Sequence, residues 1–343
     1  MTGLLDKRSG DRKVAAWLLV CCGLVFAMIV LGGVTRLTGS GLSMAEWRPI
    51  MGTLPPLSEA EWLRVFDIYK QTPEFQKVNS HMDVHDFKGI FWLEYLHRLL
   101  GRLLGLVFLL PLVYFVVRDY ISWRQLPWYV LVFAVGGLQA VIGKIMVASG
   151  QVDAPQVSHY RLTAHLTAAF LVFAMMFWRA RTLLHGPPAR SPHPWYPRTL
   201  ALAVLIAFTI VSGGFVAGLD AGLIYNTFPK MGDHWIPPGL MALEPAWRNV
   251  FDNLTTVQFD HRVLAITTFT LIVLYWFAAR GAALPRHART GANALLGFAV
   301  LQVLLGILTV VLAVPTALAV GHQANALVLL AATLYLLHDL RRG

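Results

Sequence analysis

Long apolar runs, separated by shorter polar segments, extend along the whole chain. A helix needs about 20 consecutive apolar residues to cross the roughly 30 Å of a bilayer's hydrocarbon core, and eight runs approach that length. The runs are Val14–Val34, Leu99–Val117, Trp128–Ala148, Leu162–Phe177, Leu200–Leu219, Val263–Ala279, Ala292–Val314 and Ala317–Leu337. This pattern predicts an all-α integral membrane protein with eight transmembrane helices.

The composition excludes an ordinary soluble enzyme. Of the 343 residues, 57% are hydrophobic and only 13% are charged, whereas about a quarter of a soluble domain is charged. The only cysteines, Cys21 and Cys22, lie inside the first apolar run. We therefore expect neither a disulfide framework nor a metal site built from cysteines.

Basic residues concentrate in alternate polar segments. The two termini and the loops 118–127, 179–198 and 280–290 hold 15 Lys and Arg against 4 acidic residues. Because cytoplasmic segments carry the excess of Lys and Arg, we expect both termini in the cytoplasm and the long loops 36–95 and 220–260 outside. The net charge of +10 then reports topology. We expect membrane lipid around the chain and no nucleic-acid partner.

The two halves of the chain align with each other. His97-Arg98 matches His261-Arg262, and His165 matches His322. Further matches are Gly32-Gly33 with Gly213-Gly214, Gly41-Leu42 with Gly222-Leu223, Met51-Gly52 with Met231-Gly232, Leu138-Gln139 with Leu301-Gln302, and Gly143 with Gly306. Each half has four spans, so the halves share one orientation. The repeat predicts two tandem four-helix bundles, residues 1–190 and 191–343, related by a pseudo-two-fold axis along the membrane normal.

Four of the twelve histidines occupy repeat-equivalent positions at or just inside the outer ends of even-numbered helices: His97, His165, His261 and His322. A single histidine there would usually only hydrogen-bond a neighbouring helix, but an ionisable group in the membrane needs a partner. Two imidazoles from facing helices suit the axial positions of a haem iron, whereas zinc takes three or four ligands in one cluster. A small residue follows each histidine by four positions, on the same helical face, which leaves room for a porphyrin: Gly101, Ala169, Ala265 and Ala326.

A carboxylate distinguishes the N-terminal half. Glu94 lies three residues before His97, on the same face of the helix, and the aligned residue in the second half is Gln258. We interpret Glu94 as a catalytic residue, so that the N-terminal half performs chemistry while the other half stores or relays electrons. An ion pair of Glu94 with Lys88 or Arg98 is the structural alternative.

Three cations are candidate partners of haem propionates. Arg98 and Arg262 each follow a candidate ligand directly, and a guanidinium matches the geometry of a carboxylate. Extension of these side chains to the membrane interface is the alternative. Lys144 lies inside the third helix where the repeat has Ile307. It would bind a propionate or anchor the helix.

Two long N-terminal stretches, Gly32 to Trp47 and Phe87 to Arg102, resemble signatures of the haem A synthase family of cytochrome oxidase assembly proteins. The resemblance covers essentially the whole chain. It implies oxidation of the C8 methyl group of haem O, through hydroxylated intermediates, to the formyl group of haem A for cytochrome c oxidase. Water or dioxygen would supply the oxygen atom.

The resemblance also implies roles for individual residues. His97 and His165 would hold haem O, while His261 and His322 would hold a haem b that relays electrons. Glu94 matches the family's essential carboxylate in its Glu-x-x-His motif. Some members carry cysteine pairs in the outer loops, and this sequence has none there, so a role for loop thiols does not transfer.

Implied partners are the haem O synthase (a farnesyltransferase), cytochrome c oxidase assembly factors, an unidentified electron donor and a second copy of the chain. No transit peptide precedes the first helix, so we expect a bacterial inner membrane with the haem sites towards the periplasm. Two other functions stay open. A di-haem b-type cytochrome would only transfer electrons, and a transporter with repeats would need broken helices around a mid-membrane site.

Overall fold

A computed structural model provides the structure of the chain. It gives only the backbone for residues 2–8. Trp47, the last residue of the first motif, lies outside the described residues. Met51 and Gly52 of the repeat lie outside them too. The described residues are 2–46, 54–150, 156–187, 189 and 191–341.

Within this described part, the chain is helical and forms no β-strand, with one isolated bridge between Met231 and His234. Eight helices are long and apolar enough to cross a membrane, which confirms the predicted all-α membrane protein. They are α1 (Thr2–Leu37), α3 (Val84–Val117), α4 (Leu126–Ser149), α5 (His159–His185), α6 (Tyr196–Gly218), α8 (Leu254–Arg280), α9 (Arg286–Val311) and α10 (Thr316–Arg341). The long loops between α1 and α3 and between α6 and α8 add the short helices α2 (Glu59–Tyr69) and α7 (Asn249–Asp252).

The largest departure from the predicted boundaries is at the start of α3. The helix begins at Val84 rather than at Leu99. Asp83 starts it, because its carboxylate accepts hydrogen bonds from the backbone N–H groups of His85 (2.7 Å) and Asp86 (2.9 Å), which satisfies orphan donors of the first turn. Polar residues in this first part hide it from a hydropathy pattern. His97 therefore lies more than three turns inside its helix, not at or just inside the helix end as predicted.

The part of α3 that precedes Leu99 supports the loop between α1 and α3. Trp62 and Phe66 of α2 pack against Phe87 and Phe91 of α3 in a buried aromatic cluster. Burial of this apolar and aromatic surface stabilises the outer loop on the helix end. The loop is therefore folded against the end of the bundle.

A buried polar group lies beside that aromatic cluster. The Tyr69 hydroxyl donates to Glu74 Oε2 (3.0 Å) and accepts from Asn79 Nδ2 (2.8 Å). Burial raises the pKa of the Glu74 carboxyl to about 7, although the hydrogen bond from Tyr69 opposes this shift. Glu74 thus carries a proton more readily than an exposed glutamate does.

The helices of each half contact one another in the same order. In the first half, α1 and α4 each contact both α3 and α5; in the second half, α6 and α9 each contact both α8 and α10. The halves meet through α1 and α5 on one side and α6 and α10 on the other. Gln323 crosses this boundary and donates to the carbonyl of Ile29 at 2.8 Å. The two-fold axis along the membrane normal and the division at residue 190 stay predictions.

Aromatic and aliphatic side chains fill the end of each bundle that we expect at the cytoplasmic face. In the first half, Trp17 lies 4.9 Å from Phe108 and 5.4 Å from Phe115, ring centre to ring centre. In the second half, Ile206, Ile272 and other apolar residues form the corresponding cluster. The histidines lie at the other end of each bundle, so a closely packed apolar core lies next to each histidine pair.

The outer loops are tied to the helices by charge. Arg36 donates to Asp220 Oδ1 at 2.8 Å and to the carbonyl of Ala217, which links α1 to the end of α6. Asp252 accepts from Arg248 (2.9 Å) and from the Tyr160 hydroxyl (2.8 Å). Burial would raise the pKa of Asp252, but these hydrogen bonds outweigh it and hold the pKa below the usual value. The second outer loop is thus fastened to α5.

Candidate functional site

The four repeat-equivalent histidines come together as two pairs, one pair in each half. His97 of α3 lies within electrostatic range of His165 of α5, and His261 of α8 lies within electrostatic range of His322 of α10. All four side chains are half-buried. Each bundle therefore brings two imidazoles from different helices near each other.

In the first half, each imidazole lies against a glycine of a neighbouring helix. A Cβ atom built on Gly32 of α1 would lie 3.1 Å from His97 Nε2. A Cβ atom built on Gly143 of α4 would lie 3.5 Å from His165 Cε1. A larger residue at Gly32 would press on the ring, so the glycine leaves the imidazole its space.

The second half repeats this arrangement. A Cβ atom on Gly213 of α6 would lie 3.1 Å from His261 Cε1, and one on Gly306 of α9 only 2.8 Å from His322 Cε1. The sequence matched these glycines to Gly32 and Gly143 but did not connect them with the histidines. The sequence did offer one indication of this contact, because the glycines and the histidines both recur at matching positions of the repeat.

Hydrogen bonds fix the tautomer of both imidazoles in the second half. His261 Nδ1 lies 2.8 Å from Ser212 Oγ, whose own proton is donated to the carbonyl of Thr209 at 2.8 Å. His322 Nδ1 lies 3.1 Å from the carbonyl of Gln302, which can only accept. Both Nδ1 atoms are therefore donors, which leaves the Nε2 lone pair of His261 for a metal ion. The Gln302 amide nitrogen lies 3.3 Å from His322 Nε2, and a metal ion bound there would replace this contact.

Asn325 adds a further layer around His322. Its amide donates to Gln302 Oε1 at 2.7 Å and to the carbonyl of Phe298 at 3.0 Å. The Gln302 amide, oriented in this way, donates to the carbonyl of His322 at 3.1 Å. These bonds hold the imidazole from outside, as the second layer of a metal site does.

The first half lacks this support. His165 Nδ1 is buried without a hydrogen-bond partner, and so are both amide atoms of Gln139, the match of Gln302. Leu31 stands where the second half has Ser212, and Ala168 stands where it has Asn325. Two similar histidine pairs thus have different surroundings.

Glu94 is buried, with 3% of its surface exposed, and forms an ion pair with Arg98. Its Oε2 also accepts from Ser43 Oγ (2.7 Å) and from the backbone N–H of Met44 (2.8 Å). The sequence offered Lys88 and Arg98 as ion-pair partners of Glu94, and the described contacts pair it with Arg98. These contacts hold both oxygens of the carboxylate in place.

The equivalent residues of the second half hold the equivalent loop. Gln258 Nε2 donates to the carbonyl of Tyr225 at 3.0 Å, and Arg262 donates to the same carbonyl at 2.8 Å. Arg98 likewise donates to the carbonyl of Met44 at 3.2 Å, the match of Tyr225. Both arginines therefore fasten an outer loop to a histidine-bearing helix. A bond from either one to a propionate stays a prediction.

The remaining sequence-derived candidates lie around these pairs. Lys144 is exposed on α4, one residue beyond the glycine that faces His165. Gly101, four residues after His97, lies near Met28 of α1. Ala169 and Ala326 pack against the apolar core of the first half, and Ala265 is half-buried on α8.

The residues present fit a porphyrin held by two axial imidazoles. Each half supplies two imidazoles from different helices, and a glycine beside each imidazole leaves the ring its space. Among the described residues, the group of three potential metal ligands is the exposed set Asp83, His85 and Asp86, and Asp83 is already used to cap α3. The histidine pairs are therefore the candidate metal sites of the described chain.

Comparison with known proteins gives a consistent picture. A family model described as "Cytochrome oxidase assembly protein" matches residues 15–334. A protein of Nitrosospira multiformis is 49% identical over 98% of this chain and 96% of its own length, and one of Nitrosomonas eutropha is 48% identical over 99% and 97%. A human protein is 45% identical over 98% of this chain and 85% of its own length. All three carry the name heme A synthase.

Proposed function

Since the chain belongs to the cytochrome oxidase assembly protein family, whose curated relatives are named heme A synthase, we propose that it is an enzyme of haem A biosynthesis. Its substrate is haem O, and its product is haem A for cytochrome c oxidase. The C8 methyl group is oxidised to a formyl group: two successive hydroxylations give a geminal diol, which loses water. With dioxygen as the oxygen source, each hydroxylation takes two electrons and two protons from a donor and releases one water. With water as the source, each hydroxylation passes two electrons to an acceptor and releases two protons.

The observation that carries this proposal is the histidine pair that recurs in each half, with a glycine of a neighbouring helix beside each imidazole. Haem O, as the substrate, binds between His97 and His165, and a resident haem b binds between His261 and His322. When bound, haem b supplies a one-electron redox centre next to the substrate site. The protein binds and orients both groups and excludes water from them.

Glu94 is the residue that we assign to the chemistry of the first half. Its carboxylate is held in place by Arg98 and by donors from Ser43 and Met44. A fixed carboxylate in a low-dielectric site stabilises positive charge that develops on the substrate methyl carbon, or takes a proton from it. The second half has Gln258 there, which offers an amide but no charge.

This assignment is tested by replacing Glu94 with the residue of the other half. Glu94→Gln keeps an acceptor for Ser43 and Met44 but removes the charge, whereas Glu94→Ala removes both. We expect both variants to bind haem and to lose haem A production by about 100-fold or more. Gln258→Ala is the matched control, because it loosens the equivalent loop without touching a carboxylate. Normal haem A production by Glu94→Gln would remove the charge from the mechanism.

The identity of the bound haems tests the function itself. The protein is purified from a host that makes haem O, and its haems are extracted and separated by chromatography. We expect haem B together with haem O or haem A. Haem B alone in both sites would instead support a di-haem cytochrome that only transfers electrons. An unchanged Soret spectrum after replacement of all four histidines would refute both functions.

We propose a bacterial inner membrane as the location, with cytoplasmic termini and both haem sites towards the periplasm. The basic inner segments support this orientation. Haem O synthase would deliver the substrate, and oxidase assembly factors would receive the product. An electron donor and a second copy of the chain are further proposed partners. Reporter fusions after Lys230 and after Arg286 should report the outer and the cytoplasmic side respectively, and the reverse result would overturn the orientation.

A further inference from the structure

The two histidine pairs differ in what surrounds them, and this difference has a chemical consequence. A metal-bound imidazole is oriented and made more basic when its second nitrogen donates to a fixed acceptor. His261 and His322 each have such an acceptor in Ser212 Oγ and in the carbonyl of Gln302. His165 Nδ1 has none.

The serine is the part of this arrangement that a side-chain substitution can remove. Ser212 lies one residue before Gly213, the glycine that faces His261, so a single turn of α6 both makes room for the ring and fixes its tautomer. The Ser212 proton is used by Thr209. Its oxygen is therefore available to accept from His261 Nδ1. In α1 the aligned residue is Leu31, which has no acceptor.

We propose that Ser212 is a positioning residue that holds His261 in the metal-binding tautomer and thereby slows the loss of haem from the second half. Leu31 in the aligned position leaves His97 without this support, so the first half releases its porphyrin more readily. A site that must exchange substrate for product needs the faster release, and a site with a resident cofactor needs the slower one. This inference rests on the proposed function, because it assumes a haem at each pair.

The test measures haem release, which does not depend on turnover. Holoprotein in detergent is mixed with excess apomyoglobin, and the transfer of haem B is followed by absorbance. Ser212→Ala should release haem about tenfold faster, at the lower end of the 10- to 100-fold effect of such outer residues, because the Thr209 carbonyl also lies near His261. Its midpoint potential should rise, since a less basic imidazole stabilises the oxidised iron less. Ser212→Thr keeps the hydroxyl, so its release rate and its midpoint potential should match those of the wild type.

The aligned position of the first half provides the reciprocal variant. The ring of His97 faces Gly32 through Nε2, so it must turn its Nδ1 to the new hydroxyl. Leu31→Ser should then slow the release of porphyrin from the His97 pair and leave the second site unchanged. Release rates and potentials of Ser212→Ala equal to those of the wild type would overturn the inference.

His261→Ala separates that failure from a failure of the proposed function. If the wild type binds haem that depends on His261, and Ser212 makes no difference, only the inference fails. If no bound haem depends on His261, the proposed function fails with it.

Discussion

Replacement of Gly306 by alanine should weaken haem binding in the second half in a way that distance alone predicts. The new Cβ would lie 2.8 Å from His322 Cε1 and 3.3 Å from its Nδ1. Carbon atoms in contact are normally about 3.5–4.0 Å apart, so the ring would have to move by about 0.7 Å. Metal–ligand distances lie within about 0.2 Å of their usual values, so a bound ring has little room to move. The ring cannot yield while it binds iron and donates to the carbonyl of Gln302.

The penalty falls on the haem-bound state, because a free imidazole can turn away from the new methyl group. Overpacking of this kind costs about 1–3 kcal/mol, which corresponds to a roughly 5- to 150-fold weaker affinity for haem. The gain of about 0.5–1 kcal/mol from placing alanine in a helix acts on free and bound protein equally. It therefore changes the unfolding temperature but not the affinity.

Two alanine substitutions are matched controls, and a haem titration followed by Soret absorbance measures all three variants. Gly297 lies on the same helix with no atom within 4 Å of its ideal Cβ, so Gly297→Ala should leave the affinity unchanged. Gly143→Ala places its Cβ 3.5 Å from His165, an ordinary contact, and should be tolerated in the first half. Equal affinities of the Gly306 and Gly297 variants would refute the reasoning.

Two further predictions concern stability. Burial raises the pKa of Glu74 from 4.5 to about 7. Between these pH values the folded protein binds more protons than the unfolded chain, so its stability falls as the pH rises. Glu74→Gln should remove this pH dependence from the hydrogen exchange of the loop that contains Glu74, and an unchanged pH profile would contradict the prediction. Arg181 and Asp339 form an ion pair whose side chains are only 10% and 8% exposed, so Asp339→Ala should lower the free energy of unfolding by about 3–5 kcal/mol. Arg36→Ala, which breaks a more exposed pair, should lower it by less than about 1 kcal/mol, and equal losses in thermal unfolding would refute the distinction.

The eight apolar spans and the recurrence of the four histidines could be predicted because both depend only on the order of residues along the chain. A transmembrane helix must be apolar over most of its length, since lipid offers its side chains and backbone no hydrogen bonds. A histidine in such a segment is conspicuous for the same reason. Its recurrence at the matching position, as with His97 and His261, is visible without any knowledge of packing.

The start of α3 was missed because a capped helix above the membrane needs no apolar run. Asp83 and the aromatic contacts of α2 decide where it begins. Similarly, the position of Glu94 on the same face as His97 followed from helical periodicity. Its bonds to Ser43 and Met44, some fifty residues away, did not.

What the sequence alone determined is therefore which segments enter the membrane and which side chains are costly there. The tertiary structure decided what those side chains touch. That Gly306 faces His322, and that Ser212 rather than Leu31 meets an imidazole, depends on how separate helices approach each other. Helical periodicity specifies the face that a residue occupies, but only packing specifies the neighbour across from it.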